Sequence, residues 1–239
     1  MNKPFKIFVD FDGTITKQDV GEMIFRKFGK AEHTQKIISD YLSKKISAKE
    51  CWLQLCETTG QINIDEFNNF IDSMEIDDTF HRLVKFSSDT NSEMIILSDG
   101  FDYYINRVLV KAGLNNIKYF SNKLSISDDF KLHPEFPYSD EMSISSANCK
   151  WNHILNHSSE DDFTVFIGDG LSDNETVQYC DYVFAKDSLL RFCEMERITF
   201  FPFKNFIDVV KKLEELNSKK RLKKRHQAVI KRKHAYMME

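Results

Sequence analysis

Four short stretches bring together residue types that do chemistry. The first is Asp10-Phe11-Asp12-Gly13-Thr14, at the carboxyl end of the apolar run Lys6–Asp10 (KIFVD). Two carboxylates at i and i+2 on extended backbone face one side, because side chains alternate with period two. Gly13 permits a sharp turn away. Two acids placed directly after an apolar run and followed by Gly-Thr make a plain solvated loop the weaker reading. The second stretch is Gly168-Asp169-Gly170-Leu171-Ser172-Asp173, with two more carboxylates four positions apart. The third is Ser98-Asp99-Gly100, where a strand-like run gives way to a helical pattern. A hydroxyl and unpaired backbone N–H groups at such a place make an anion site. The fourth is Lys150, in Cys149-Lys150-Trp151. A lone lysine is by default a surface residue, so Lys150 gains meaning only beside the other three.

Taken together, the four stretches have one chemistry in common. Clustered carboxylates suit Mg²⁺, a hard cation that takes about six oxygens. A hydroxyl, backbone amides and an ammonium suit a phosphate. That is equipment for phosphoryl transfer. The chain has no GxxxxGK[ST] loop, which excludes a P-loop NTPase. Without a nucleotide cradle, direct attack by a carboxylate is the economical mechanism.

The elements that must position these residues follow from periodicity. Lys6–Asp10, Met94–Leu97 and Phe163–Ile167 (FTVFI) read as buried strands, and Tyr182–Ala185 and Ile198–Phe201 as two more. Val20, Met23, Ile24 and Phe28 have helical spacing, with Asp19 as N-cap and Gly29 just past the end. Helical spacing persists from Ala31 to about Phe86. A further helix carries Tyr104, Ile105, Val108, Leu109 and Ala112, closed by Gly113. Another is expected near Asp173–Tyr179. Strands alternating with helices predict an α/β fold with a parallel sheet covered on both faces. Ligands of such sheets lie at the carboxyl ends of strands, where the first three stretches fall. The helical block after the first strand is too long for a simple crossover and reads as an inserted cap. The expected division is 1–16 and 80–216 as core, 17–79 as cap and 217–239 as a basic tail.

Composition narrows the field. With 239 residues, 41% hydrophobic and 29% charged, the chain is neither collagen-like, nor disordered throughout, nor a disulfide-stapled miniprotein. Mean hydropathy is −0.43, and no apolar run reaches the roughly 18 residues of a membrane span. The N-terminus runs straight into a strand without a charged then apolar leader, so a cytoplasmic location is expected. The five cysteines include no CxxC pair, and buried thiols are the reading. The net charge of −4 hides an asymmetry: residues 217–239 hold nine Lys or Arg against one acid. The other 216 residues hold 24 basic and 36 acidic groups, which does not suit nucleic acid as the main partner. The tail reads as a frayed extension of the last helix. Its rivals are contact with an acidic or anionic surface, or self-association into a homodimer through the acidic body. His153 and His157 lack the Glu of HExxH and read as helix packing.

The order and spacing of the motifs resemble the haloacid dehalogenase superfamily of aspartate-nucleophile phosphatases. DFDGT is similar to its motif I, the Ser98 strand end to motif II, Lys150 to motif III and GDGLSD to motif IV. The resemblance implies a Rossmann-like core, and the helical insertion is similar to the type 1 cap of the phosphoserine-phosphatase-like branch. It implies Asp10 as nucleophile forming an aspartyl-phosphate. Asp12 would be general acid and then base. Lys150 would neutralise Asp10 and the phosphate. Mg²⁺ would be held by Asp10, the backbone carbonyl of Asp12, Asp169 and, through water, Asp173. Ser98, Asp99 and Gly100, together with Asp19, form the implied substrate-binding set. The implied partner is a small phosphorylated metabolite. Asp19 lies nine after Asp10, where phosphoserine phosphatases place an acid facing the substrate. Their cap arginine falls near Gln54 or Leu55 here, which counts against phosphoserine. Tyr119–Trp151 resembles the 2-hydroxy-3-keto-5-methylthiopentenyl-1-phosphate phosphatases of methionine salvage and the related phosphoethanolamine/phosphocholine phosphatases. A phosphotransferase or mutase could use the same intermediate, and a non-catalytic binding protein could keep the same fold. Phe25, Phe28 and Trp52 are candidates for an apolar pocket, although core packing is the plainer role for each.

Overall fold

The computed structural model describes residues 4–238. Its strands are β1 (Phe5–Val9), β2 (Glu93–Phe101), β3 (Lys118–Ile126), β4 (Leu132–Glu135), β5 (Phe163–Gly168), β6 (Tyr182–Ala185) and β7 (Phe201–Pro202). They are ordered β4-β3-β2-β1-β5-β6-β7 in one α/β sheet. The contacts divide the chain into two compact units. One is Met1–Asp10, Asp77–Leu97 and Lys150–Glu239; the other is Phe11–Ile76 and Ser98–Cys149. The chain passes between them within β2, so that strand has residues in both.

The first unit is built on parallel pairing. β1 registers with β2 from Lys6↔Glu93 to Val9↔Ile96, and with β5 from Phe5↔Phe163 to Val9↔Ile167. β5 pairs with β6, and β6 with β7, also in parallel. Both faces of these strands are covered, so they read as continuous apolar runs. Ile7, Phe8, Val9, Val165, Phe166 and Ile167 are all fully buried. The helices of this unit are α5 (Phe80–Asp89), α7 (Lys150–His157), α8 (Asp187–Met195), α9 (Phe206–Asn217) and α10 (His226–Met238). α5 packs on α9 through an edge-to-face contact of Phe80 and Phe206, with ring centroids 5.0 Å apart.

The second unit carries four helices that follow β1 in the chain, and among the described residues no strand interrupts them. They are α1 (Val20–Phe28), α2 (Ala31–Leu42), α3 (Ala48–Thr59) and α4 (Ile64–Asp72). Three of the four starts, all but that of α2, have a side-chain cap. The Asp19 carboxylate accepts from the Glu22 amide, Asn63 caps α4, and Ser47 with Glu50 forms a reciprocal capping box at α3. Phe28 packs edge-on against Phe67 and Phe70, while Phe25 and Phe101 lie against Trp52. α6 (Asp102–Lys111) and the antiparallel β3–β4 hairpin complete the unit.

Four details depart from the sequence expectations. The hairpin has no apolar run to announce it, because Ser121 and Asn122 are buried within β3 where apolar residues would be expected. Where a helix is expected near Asp173–Tyr179, the chain forms two short 3-10 turns, Leu171–Asp173 and Thr176–Tyr179. The last strand is only Phe201–Pro202. The basic segment after residue 217 is not a frayed end. Its residues 226–238 form a separate helix, α10, which packs on the Thr176–Tyr179 turn. Arg232 explains this: it is buried and paired with Asp181 at 3.1 Å. Among the described residues no helix is long and apolar enough to cross a membrane.

Candidate active site

The candidate residues fall into two groups, one in each unit. In the first unit β1 delivers Asp10, whose amide extends the ladder by donating to the Ile167 carbonyl at 2.9 Å. α7 begins at Lys150, which is wholly buried. Its Nζ donates to Asp10 Oδ1 at 2.6 Å, to Asp173 Oδ1 at 2.7 Å and to Ser172 Oγ at 3.1 Å. The other oxygen of Asp173 accepts from the amides of Asp169 and Gly170 at 3.1 and 3.2 Å. Gly168 is required here, because a Cβ at that position would sit 2.3 Å from Asp173 Oδ2.

Electrostatics follow from this burial. Loss of water pushes the Asp173 carboxyl up to about 6, and the charge of Asp10 adds to it against the pull of Lys150. Burial alone would lower the Lys150 ammonium, but the two carboxylates outweigh it and hold it well above the usual lysine range. Asp10, Asp169 and Asp173 each offer one oxygen, all within 4.8 Å of one another. One lysine balances one of these three carboxylates. The remaining negative charge and the all-oxygen donor set fit a divalent hard cation.

In the second unit the central group is Asp12. Its Oδ1 accepts from the amides of Val20 and Gly21, at the head of α1, at 3.0 and 3.4 Å. Its Oδ2 accepts from Ser98 Oγ at 3.1 Å and from the Tyr104 hydroxyl at 2.8 Å. Ser98 Oγ in turn accepts from the Gly100 amide at 2.9 Å. Ser98, Gly100 and Asp12 are thus brought together as their motifs suggest. Gly13, at φ 76°, makes the turn that carries the chain from Asp12 towards α1.

The Asp99 side chain has a different setting. Its carboxylate accepts from Trp52 Nε1 at 3.2 Å, Ser146 Oγ at 2.8 Å and the amides of Ala147 and Asn148 at 2.5 and 2.9 Å. It ties α3 to the 146–148 loop. Asn148 Nδ2 then donates to the Ser98 carbonyl at 2.7 Å. Asp19 serves the α1 cap and retains accessible surface, yet protein atoms surround it densely. Desolvation pushes its carboxyl up to about 6, and neighbouring Glu22 and Asp99 add to the rise while backbone donors oppose it.

Sequence reasoning missed the roles of Tyr104, Ser146 and Asn148, and it read Trp52 for its ring and not for its N–H. Tyr104 and Trp52 have the spacing of core residues, and their polar atoms find partners far away in sequence. Ser172 lies inside the GDGLSD motif, which is its only sequence signal; the structure adds its contact with Lys150.

The mostly parallel α/β sheet thus carries acids at the ends of β1 and β5, beside a buried lysine at the start of α7. The profile of the family described as Putative Phosphatase matches residues 5–197, and the chain belongs to that family. It is a phosphomonoester hydrolase of the haloacid dehalogenase superfamily. It is 32% identical over 214 residues to a 2-hydroxy-3-keto-5-methylthiopentenyl-1-phosphate phosphatase of Bacillus mycoides (strain KBAB4), covering 88% of this chain and 96% of that protein. A Bacillus cereus protein of the same description is 31% identical over the same shares of both chains. Among solved structures, a phospho-aspartyl intermediate analogue of phosphoserine phosphatase superposes with TM-score 0.68 at 20% identity, covering 88% of this chain and 99% of that one. A substrate-bound phosphoserine phosphatase gives 0.69 at 18% identity, covering 89% and 99%. At these identities the structural likeness concerns the fold.

Proposed function

We propose that the chain hydrolyses a small phosphomonoester through an aspartyl-phosphate on Asp10, with Mg²⁺ as cofactor. The observation that carries this reading is the buried Lys150 ammonium, held between Asp10 at 2.6 Å and Asp173 at 2.7 Å beside Asp169. A fully buried lysine is costly unless it works as a fixed countercharge, and a carboxylate nucleophile facing an anionic ester needs one.

Asp10, Asp169, Asp173 and the carbonyl of Asp12 are the groups that would hold Mg²⁺. When bound, Mg²⁺ supplies charge neutralisation for the phosphoryl oxygens. The protein's own residues then account for two steps. An Asp10 oxygen attacks phosphorus and the ester P–O bond breaks, while Asp12 passes a proton to the leaving oxygen. Water next attacks phosphorus, Asp12 takes its proton, and the bond to Asp10 breaks to release phosphate. Lys150 orients the Asp10 carboxylate for attack and then offsets the charge of the phosphoryl group it carries. Ser98 and the Gly100 amide are donors for the phosphoryl oxygens.

For the substrate, the relatives named for 2-hydroxy-3-keto-5-methylthiopentenyl-1-phosphate support that ester or a near analogue. The aromatic cluster of Phe25, Trp52, Phe101 and Tyr104 suits an apolar methylthio end. One observation favours a second reading, an amine-bearing ester such as phosphoethanolamine: the exposed Asp19 carboxyl, with the acids Glu22 and Asp99 near it, would gain from an ammonium partner. Phosphoserine is disfavoured because Leu55 is buried and Gln54 lies on the surface. Neither provides a carboxylate clamp.

The test is phosphate release from a panel of these esters, with Mg²⁺ and with EDTA, beside Asp10→Asn. Release without an added acceptor separates hydrolysis from transfer. A fully active Asp10→Asn variant would remove the covalent mechanism. Asp19→Asn separates the two substrates, since asparagine keeps the helix cap and loses only the charge. Its KM should rise about tenfold for phosphoethanolamine, or ~1.4 kcal/mol, and stay unchanged for the methylthio ester.

A further inference from the structure

We propose that Tyr104 is a positioning residue for Asp12, holding the Oδ2 side of its carboxyl group during proton transfer to the leaving group. The proposal rests on the reading of Asp12 as general acid and base. Tyr104 comes from the first turn of α6 and is almost wholly buried. Its ring lies between those of Phe11, with centroids 6.3 Å away, and Phe101, at 6.5 Å. A buried tyrosine hydroxyl needs a partner, and here it donates to Asp12 Oδ2 at 2.8 Å.

The surrounding backbone is shaped for this oxygen. A Cβ on Gly100 would lie 1.5 Å from the Tyr104 hydroxyl oxygen and 2.7 Å from Asp12 Oδ2. The glycine of the Ser98-Asp99-Gly100 stretch is therefore needed for the tyrosine–aspartate pair as well as for its own amide. A Cβ on Gly21 would also approach the hydroxyl, at 3.3 Å.

Two kinds of donor grip Asp12. The amides of Val20 and Gly21 hold Oδ1, and two hydroxyls hold Oδ2. When Ser98 turns to a phosphoryl oxygen, it leaves Oδ2 open on one side for the proton that passes to the ester oxygen. The Tyr104 hydroxyl stays on Oδ2 and fixes the plane of the carboxyl group. Positional accuracy of this kind is what general acid catalysis requires.

The consequence is a dependence on the leaving group. An alkoxide must receive a proton as it departs, whereas 4-nitrophenolate leaves without one. The experiment compares β-glycerol phosphate with 4-nitrophenyl phosphate for wild type, Tyr104→Phe, Asp12→Asn and the double variant. Tyr104→Phe should lower kcat/KM on the alkyl ester about thirtyfold, the scale of a hydrogen bond to a charged partner. It should lower kcat/KM on the aryl ester less than threefold, because this ratio excludes the later hydrolysis of the aspartyl-phosphate that both esters share. In the Asp12→Asn background the Tyr104 effect should vanish. Equal losses on both esters, or full additivity of the two substitutions, would assign Tyr104 to packing and overturn the proposal. If Asp12→Asn itself treats both esters alike, the acid–base reading of Asp12 fails first, and the proposal falls with it. Should Tyr104→Phe not fold, 3-fluorotyrosine at position 104 keeps the ring shape and strengthens the donor. The alkyl-to-aryl ratio must then shift, and an unchanged ratio counts against the proposal.

Discussion

At the scale of single residues, Lys150 has the largest stake. Its ammonium is shared by two buried carboxylates. Removing one partner of a buried charge cluster leaves the others uncompensated, which costs about 3–5 kcal/mol. Lys150→Met should therefore unfold at lower urea, by about that amount, and release no phosphate. Urea titration followed by circular dichroism checks the first outcome, and the ester panel checks the second. Asp10, Asp12, Asp169 and Asp173 stand out in the sequence because they follow apolar runs beside glycines, whereas Lys150 has neither beside it and gains meaning only with them. The roles of Tyr104 and of the Asp99 carboxylate do not stand out. Tyr104 has the spacing of a core residue, so periodicity accounts for its ring and is silent on its hydroxyl. Asp99 reads as one member of an anion-binding, substrate-binding stretch. The donors that occupy its carboxylate come from Trp52 and from residues 146–148, and no local pattern points to them.

At the scale of elements, α10 is anchored by polar contacts. The Arg232 guanidinium donates to Asp181, to Thr164 Oγ1 and to the Tyr179 carbonyl. Asp181 also accepts from the amide and hydroxyl of Thr164, both at 3.1 Å. Arg225 donates to the Val177 carbonyl, and Tyr236 reaches the Leu155 carbonyl at 3.1 Å. The extension therefore touches α7, β5 and the 3-10 turn after Asp173. Arg232→Met should cost about 3–5 kcal/mol, because it leaves Asp181 buried and short of its countercharge. Combining it with Asp181→Asn should recover part of the loss, and a double-mutant cycle in urea reads the coupling directly. The sequence could not announce this helix. It has no continuous apolar face, and a run of lysines and arginines looks like solvated chain until one arginine finds a buried acid. The β3–β4 hairpin escaped for a related reason, since its interior uses serine and asparagine. The long helical stretch after β1, by contrast, was plain from spacing and caps.

At the scale of the whole molecule, α/β alternation was legible because strands covered on both faces are apolar throughout. Thiols are spread over both units, and all five cysteines are free and buried. Burial pushes Cys51, Cys56 and Cys180 up to about 12, and Cys193 up to about 11. In the unfolded chain these thiols ionise near 9, so the folded state holds their protons more tightly. Their contribution to stability is complete below about pH 9 and is lost as pH rises towards 11–12. Urea midpoints should thus fall between pH 8.5 and pH 10.5, while a thiol reagent at pH 7.5 should label only unfolded protein. The order in which the chain is synthesised matters too. β1 emerges early, but its register partners are Glu93–Ile96 on one side and Phe163–Ile167 on the other. At translation rates of about 5–20 residues per second, both become available only after roughly ten seconds or more. Until β2 is made, Phe-Lys-Ile-Phe-Val is an apolar strand with two open edges on a nascent chain, and until β5 is made one edge stays open. Slow codons between β1 and β5 therefore lengthen its exposure to aggregation.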